Sequence, residues 1–122
     1  MKFQFKTEVL ASLVTASLLF ATVAEAHVQV RSVSPRSGAT VNRKLNVVRV
    51  TFTGPLRSGR ITVVGAGNRV VSVGRGGRDP RAVNRILVPL RSGLRPGRYR
   101  ASWTVVAADG HRQLGSFRFR LR

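Results

Sequence analysis

Apolar and polar residues alternate from Arg98 to Val105 and again from Ser116 to Arg122. Tyr99, Ala101, Trp103 and Val105 fall on one side, with Arg98, Arg100, Ser102 and Thr104 on the other. Phe117, Phe119 and Leu121 repeat the pattern against Ser116, Arg118, Arg120 and Arg122. Upstream, Val48, Val50 and Phe52 oppose Arg49, Thr51 and Thr53. An extended backbone points successive side chains to opposite faces, so these runs predict strands with one buried and one wet side. Further strands are expected at Val28–Val33, Arg60–Val64, Arg69–Val73 and Ala82–Leu90. Turns are expected at Pro35–Gly38, Gly54-Pro55, Ser58-Gly59, Gly65–Asn68, Ser92-Gly93 and Pro96-Gly97, with Gly74–Pro80 as a mobile loop. No helical period of useful length follows residue 26. About seven short strands in about 100 residues suggest an all-β, immunoglobulin-like Greek-key β-sandwich.

Residues 1–26 read differently. Lys2 and Lys6 precede an apolar stretch from Val9 to Ala21, which closes on Ala24-Glu25-Ala26. A basic start, a short apolar region and a small-residue A-x-A site describe a secretory signal peptide. An uncleaved span wants about 20 mostly apolar residues, and this run is shorter and carries Ser and Thr. Cleavage is expected after Ala26, leaving a single domain, 27–122, soluble in the periplasm.

That product is chemically sparse. The chain has no Cys and two His, which excludes disulfides, thiolate metal sites and thiol nucleophiles. Loss of residues 1–26 removes Lys2, Lys6, Glu8 and Glu25, so the remainder keeps 20 basic residues, all Arg except Lys44, against Asp79 and Asp109.

His27 would become the first residue after cleavage. A histidine there offers two nitrogens, the α-amine and the near ring nitrogen, which close a six-membered chelate on a metal. His111 adds a third nitrogen, and Asp109 lies two residues before it, so in an extended segment both project to the same side. Three nitrogens and an oxygen suit the tetragonal geometry of Cu(II). A lone surface His or an Asp-Gly turn would be unremarked; their coincidence with the expected cleavage site points to metal binding.

The same residues carry a resemblance. His27-Val28-Gln29-Val30, Ser34-Pro35 and Gly38-Ala39-Thr40-Val41 resemble the opening of the CopC family of periplasmic copper-resistance proteins, as does Val50-Thr51-Phe52 before Pro55. Leu94-Arg95-Pro96-Gly97-Arg98-Tyr99-Arg100-Ala101-Ser102-Trp103, then Ala108-Asp109-Gly110-His111 and Gly115-Ser116-Phe117-Arg118-Phe119, match it more specifically. The resemblance spans essentially all of 27–122. It implies a small β-sandwich that binds Cu(II) through its N-terminal histidine and an Asp-x-His segment, here His27, Asp109 and His111. It also implies a periplasmic role in copper tolerance or delivery, with a membrane copper transporter or other copper protein as partner. Two departures matter. Many relatives carry an acid where Gly54 follows Phe52-Thr53, and some carry a Met-rich Cu(I) site, whereas the one Met here is Met1.

The arginines suggest a second function class, an exported module that binds an anionic envelope surface through an Arg-rich face. Nucleic acid is not expected as a native partner: the segment is exported, and the aromatics fall on core faces rather than between the arginines. An enzyme is not expected either. No G-x-S-x-G motif occurs, and the chain is small for a copper-dependent oxidative enzyme of the kind that also uses an N-terminal histidine.

Overall fold

The computed structural model describes residues 27–122, so the expected signal peptide, 1–26, lies outside the described residues. The chain forms β1 (Val30–Ser34), β2 (Thr40–Val41), β3 (Val47–Phe52), β4 (Leu56–Val64), β5 (Gly77–Asp79), β6 (Ala82–Pro89), β7 (Gly97–Ala107) and β8 (Arg112–Leu121). They build two four-stranded sheets, ordered β1-β3-β6-β5 and β2-β8-β7-β4. All ladders are antiparallel except β2 against β8. In immunoglobulin lettering the first sheet is A-B-E-D, and the second is C-F-G with β2 added beside the last strand. This is the all-β Greek-key sandwich that the alternation predicts.

The inward sides of the alternating strands are the core. Val48, Val50 and Phe52 of β3 and Ile86 and Val88 of β6 meet Ile61 and Val63 of β4, Val105 of β7 and Leu121 of β8, all essentially without solvent contact. Phe52 and Trp103 meet edge to face across the sheets, with centroids 5.0 Å apart and planes at 84°. Tyr99 stacks on Phe119 at 5.6 Å, and its Oη donates to the Arg95 carbonyl at 2.6 Å. That contact, at the start of the F-equivalent strand, is the tyrosine corner of immunoglobulin sandwiches.

Three local expectations are corrected. Ser58-Gly59 is not a turn; both residues lie within β4, where the ladder to β7 shifts register between Leu56 and Ser58. Gly59 is needed for close approach: a Cβ there would collide with Ile86 of the facing sheet. Arg69–Val73 is not a regular strand. It crosses between the sheets, bridging Val64 through Val70 and Leu90 through Ser72. Ser72 is buried, and its Oγ accepts from the Val63 amide at 3.0 Å, so a side chain replaces a ladder carbonyl. Within Gly74–Pro80, residues Gly77–Asp79 are the edge strand β5, paired with β6.

Gly115 faces Trp103 across the β7–β8 ladder, and the indole covers the position a Cβ would occupy. Gly115→Ala should therefore cost about 1–3 kcal/mol of stability by overpacking. Urea unfolding followed through the single Trp would measure it, with a shifted native emission as the sign that the ring has moved.

Candidate metal centre

Ala108, Asp109 and Gly110 form the loop that turns β7 into β8. The Gly110 amide donates to the Ala107 carbonyl at 2.9 Å, and the Ala107 amide donates to the His111 carbonyl at 2.9 Å. Gly110 holds φ +90°, the left-handed residue that three-residue hairpin loops require. Asp109 closes the loop from its side chain: Oδ1 accepts from the His111 amide at 3.0 Å, and Oδ2 lies 2.8 Å from His111 Nδ1. The expected same-side projection of Asp109 and His111 is present, but it arises from this turn and not from an extended segment.

His27 reaches the same end along a second path. Val28 is buried, and its carbonyl accepts from Gln113 Nε2 at 2.8 Å. Gln29 and Thr53 hold each other twice, Gln29 N to Thr53 Oγ1 at 2.9 Å and Thr53 N to Gln29 O at 2.8 Å. A Cβ on Gly54 would stand 3.0 Å from Val28 Cγ1. Gly54 thus leaves room for Val28, just ahead of β1, to settle against this loop. Gln113, Thr53 and Gly54 were not legible as site residues, because their roles lie in contacts distant in sequence. Gln113 Oε1 is buried with no hydrogen-bond partner.

These paths bring the His27 and His111 rings to 6.0 Å between centroids, with planes at 49°. Two imidazoles bound to one ion by bonds of about 2 Å would have their centroids about 3 Å from it, so this spacing fits a shared ion. Both histidines are exposed. Asp109 Oδ2 engages Nδ1 of His111, and a carboxylate on one ring nitrogen sets the orientation and tautomer of the other. Among the described residues no three His, Asp or Glu side chains converge as a ligand cluster.

The model for the CopC domain family matches residues 30–122. The chain is 26% identical over 113 residues to Protein YobA of Escherichia coli K12, covering 91% of this chain and 90% of that one. Its structure is similar to the crystal structure of CopC from Methylosinus trichosporium OB3b, at TM-score 0.69 and 20% identity over 78% of this chain and 93% of that chain. It is also similar to PcoC, a methionine-rich copper resistance protein from Escherichia coli, at TM-score 0.66 and 21% identity over 80% and 100% of the two chains.

The side-chain hydrogen bond to His111, then the bond from the His111 amide, hold the Asp109 carboxyl below its ordinary range. A depressed carboxyl pKa contributes above the unfolded value and is lost as pH falls through the folded one. Carbon-detected NMR should show Asp109 titrating below an Asp of the unfolded chain. In Asp109→Ala the metal-free His111 ring should lose its preference for a proton on Nδ1, read from imidazole nitrogen shifts near neutral pH.

Proposed function

The chain belongs to the CopC family, and from that premise we propose that it is a periplasmic Cu(II)-binding protein serving copper tolerance or delivery. The observation that carries this reading is the approach of His27 and His111, the two histidines of the chain, to 6.0 Å at one end of the sandwich. Copper is the cargo. Cleavage after Ala26 frees the α-amine of His27, which chelates together with its own ring, and His111 supplies Nε2. Asp109 orients His111 through Nδ1 and, among the described residues, is the acidic side chain at this end, available as an oxygen ligand.

Three nitrogens and a carboxylate favour Cu(II). The relative described as methionine-rich differs here, since this chain has a single Met, within the proposed signal peptide. Soft sulfur ligands for Cu(I) are thus lacking after cleavage. The protein acts as a carrier and not as an enzyme, exchanging copper with a membrane transporter or another copper protein. Among the described residues no helix is long and apolar enough to cross a membrane.

A second reading rests on the outer face of β7 and β8. Arg98 stands opposite Arg120, and Arg100 opposite Arg118. Like charges directly across a ladder cost roughly 0.2–1 kcal/mol each, and the described carboxylates, Asp79 on β5 and Asp109 in the hairpin loop, are on other elements. An anionic envelope surface would relieve that repulsion. The two readings are compatible, since the arginine pairs lie along the sheet and the histidines at its end.

The amino group is the decisive ligand. In the precursor the His27 nitrogen is an amide, a poor donor until it loses its proton. Cleavage replaces it with an amine of pKa about 8, which copper can deprotonate at neutral pH. Protein beginning at His27 should bind one Cu(II) with a nitrogen-rich tetragonal spectrum. One extra residue before His27 should lower affinity by orders of magnitude with the fold intact, and His111→Ala should weaken binding severely. Acid should release the metal as amine and imidazoles take up protons. Chelator competition with both forms checks this; equal affinities would show that the amine is no ligand.

Oxidation state and salt give a separate check. Cu(I) should bind far more weakly than Cu(II) in matched competitions. Cu(II) binding should barely respond to salt, while partitioning onto anionic vesicles should fall steeply as exposed charge is screened.

A further inference from the structure

We propose that the outer face of the β1-β3-β6-β5 sheet carries a separate binding site for a phosphate-type oxyanion. A polar hollow of about 350 Å³ opens there, lined by Ser32 and Ser34 of β1, Arg49 and Thr51 of β3, Arg85 of β6, and Asp79 and Arg81 at the β5–β6 turn. The ladders set this arrangement: Ser32 pairs with Thr51 and Thr51 with Arg85, while Ser34 pairs with Arg49. Side chains from three adjacent strands therefore stand on one face in two neighbouring rows.

Arg85 is fixed before any ligand arrives. Its Nε donates to Thr51 Oγ1 at 3.0 Å, and Nη1 lies 3.5 Å from Asp79 Oδ2. Asp79 is itself buried, and its Oδ1 accepts from the Arg81 amide at 2.9 Å. The carboxylate thus holds one arginine by its side chain and another by its backbone. Because Thr51 accepts from Arg85, its own hydroxyl proton remains to be donated. The serine hydroxyls add donors of the same kind.

Charge and size select the ligand. Three guanidiniums and one carboxylate leave the lining at a net +2, which attracts a phosphate oxyanion. Arginine forks bind tetrahedral oxyanions by paired, charge-assisted bonds. With a water occupying about 30 Å³ of liquid, the hollow takes a phosphate with several waters, or a phosphate borne on a lipid headgroup. Both sources present anionic phosphate oxygens to the arginines.

The test must separate a built site from the general pull of a cationic surface. Inorganic phosphate is titrated at constant ionic strength, following backbone amides and arginine Nε–H groups by NMR. The Arg85 Nε–H signal and amides of residues 32–34 and 49–51 should move together and saturate. Thr51→Val leaves charge and strand preference unchanged but removes the hydroxyl, and should weaken binding about three- to tenfold, the worth of one hydrogen bond. Arg85→Lys keeps the charge without the fork and should do the same. Asp79→Asn should weaken binding through loss of positioning, whereas bare electrostatics would strengthen it. Arg60→Gln, on β4 of the opposite sheet, should leave these shifts unaltered. Thermal melts confirm that each variant is folded, with Thr51→Val and Arg85→Lys as alternatives should Asp79→Asn fail. Vesicles containing phosphatidylglycerol form the second arm: weaker partitioning of Thr51→Val assigns the site to lipid phosphate, and unchanged partitioning assigns it to free phosphate. Unsaturable shifts spread over the whole surface, or affinity unaffected by Thr51→Val and Arg85→Lys, would overturn the proposal.

Discussion

With no cysteine in the chain, the two sheets are joined by packing, and the edge-to-face contact of Phe52 with Trp103 is its aromatic centre. Such a pair adds about 0.5–1.5 kcal/mol beyond the area it buries. Its position matters as much as its strength. Phe52 ends β3, immediately before the Thr53-Gly54 pair that receives the first strand. Trp103 lies across from Gly115, two residues beyond Gln113, which grips the Val28 carbonyl. Both supports of the histidine end thus rest on one aromatic contact between the sheets.

The histidine end is assembled from local and distant pieces with different physical characters. The Asp109-Gly110-His111 unit is nearly self-contained, since the loop hydrogen bonds and the carboxylate define the ring orientation. His27 is placed from residues distant in sequence as well. Its placement depends on a buried valine beside it, a glutamine on β8 and a glycine that leaves room. One imidazole is held rigidly by its own turn, and the other is delivered by a strand.

Much of this was legible in the sequence because burial in a sandwich follows strand period directly. Tyr99, Ala101, Trp103 and Val105 face the core as alternation requires. Asp109 and His111 are close in sequence, and His27 is marked by the expected cleavage point, so their grouping could be anticipated. Alternation says nothing about which strand neighbours which, so the row Ser32–Thr51–Arg85 was invisible. Ser58-Gly59 looked like a turn because glycine serves both turns and close approach, and Ile86 decides between them from a distant position. Arg69–Val73 has the apolar content of a strand, yet Val71 and Ser72 are adjacent and both buried, which strict alternation forbids.

Strand β8 runs from the hairpin end of the sandwich to the opposite end, where it pairs in parallel with β2. Leu121 lies beside Val41 and across from Gly97, whereas Arg112, at the other end of the strand, adjoins the hairpin that meets His27. A ten-residue strand separates these ends by roughly 30 Å at the usual rise. Any anchor, reporter or second module joined after Arg122 would leave from the face remote from the histidines. Immobilised that way, the molecule would stand with its histidine tip outward, reachable by ions and by other proteins alike.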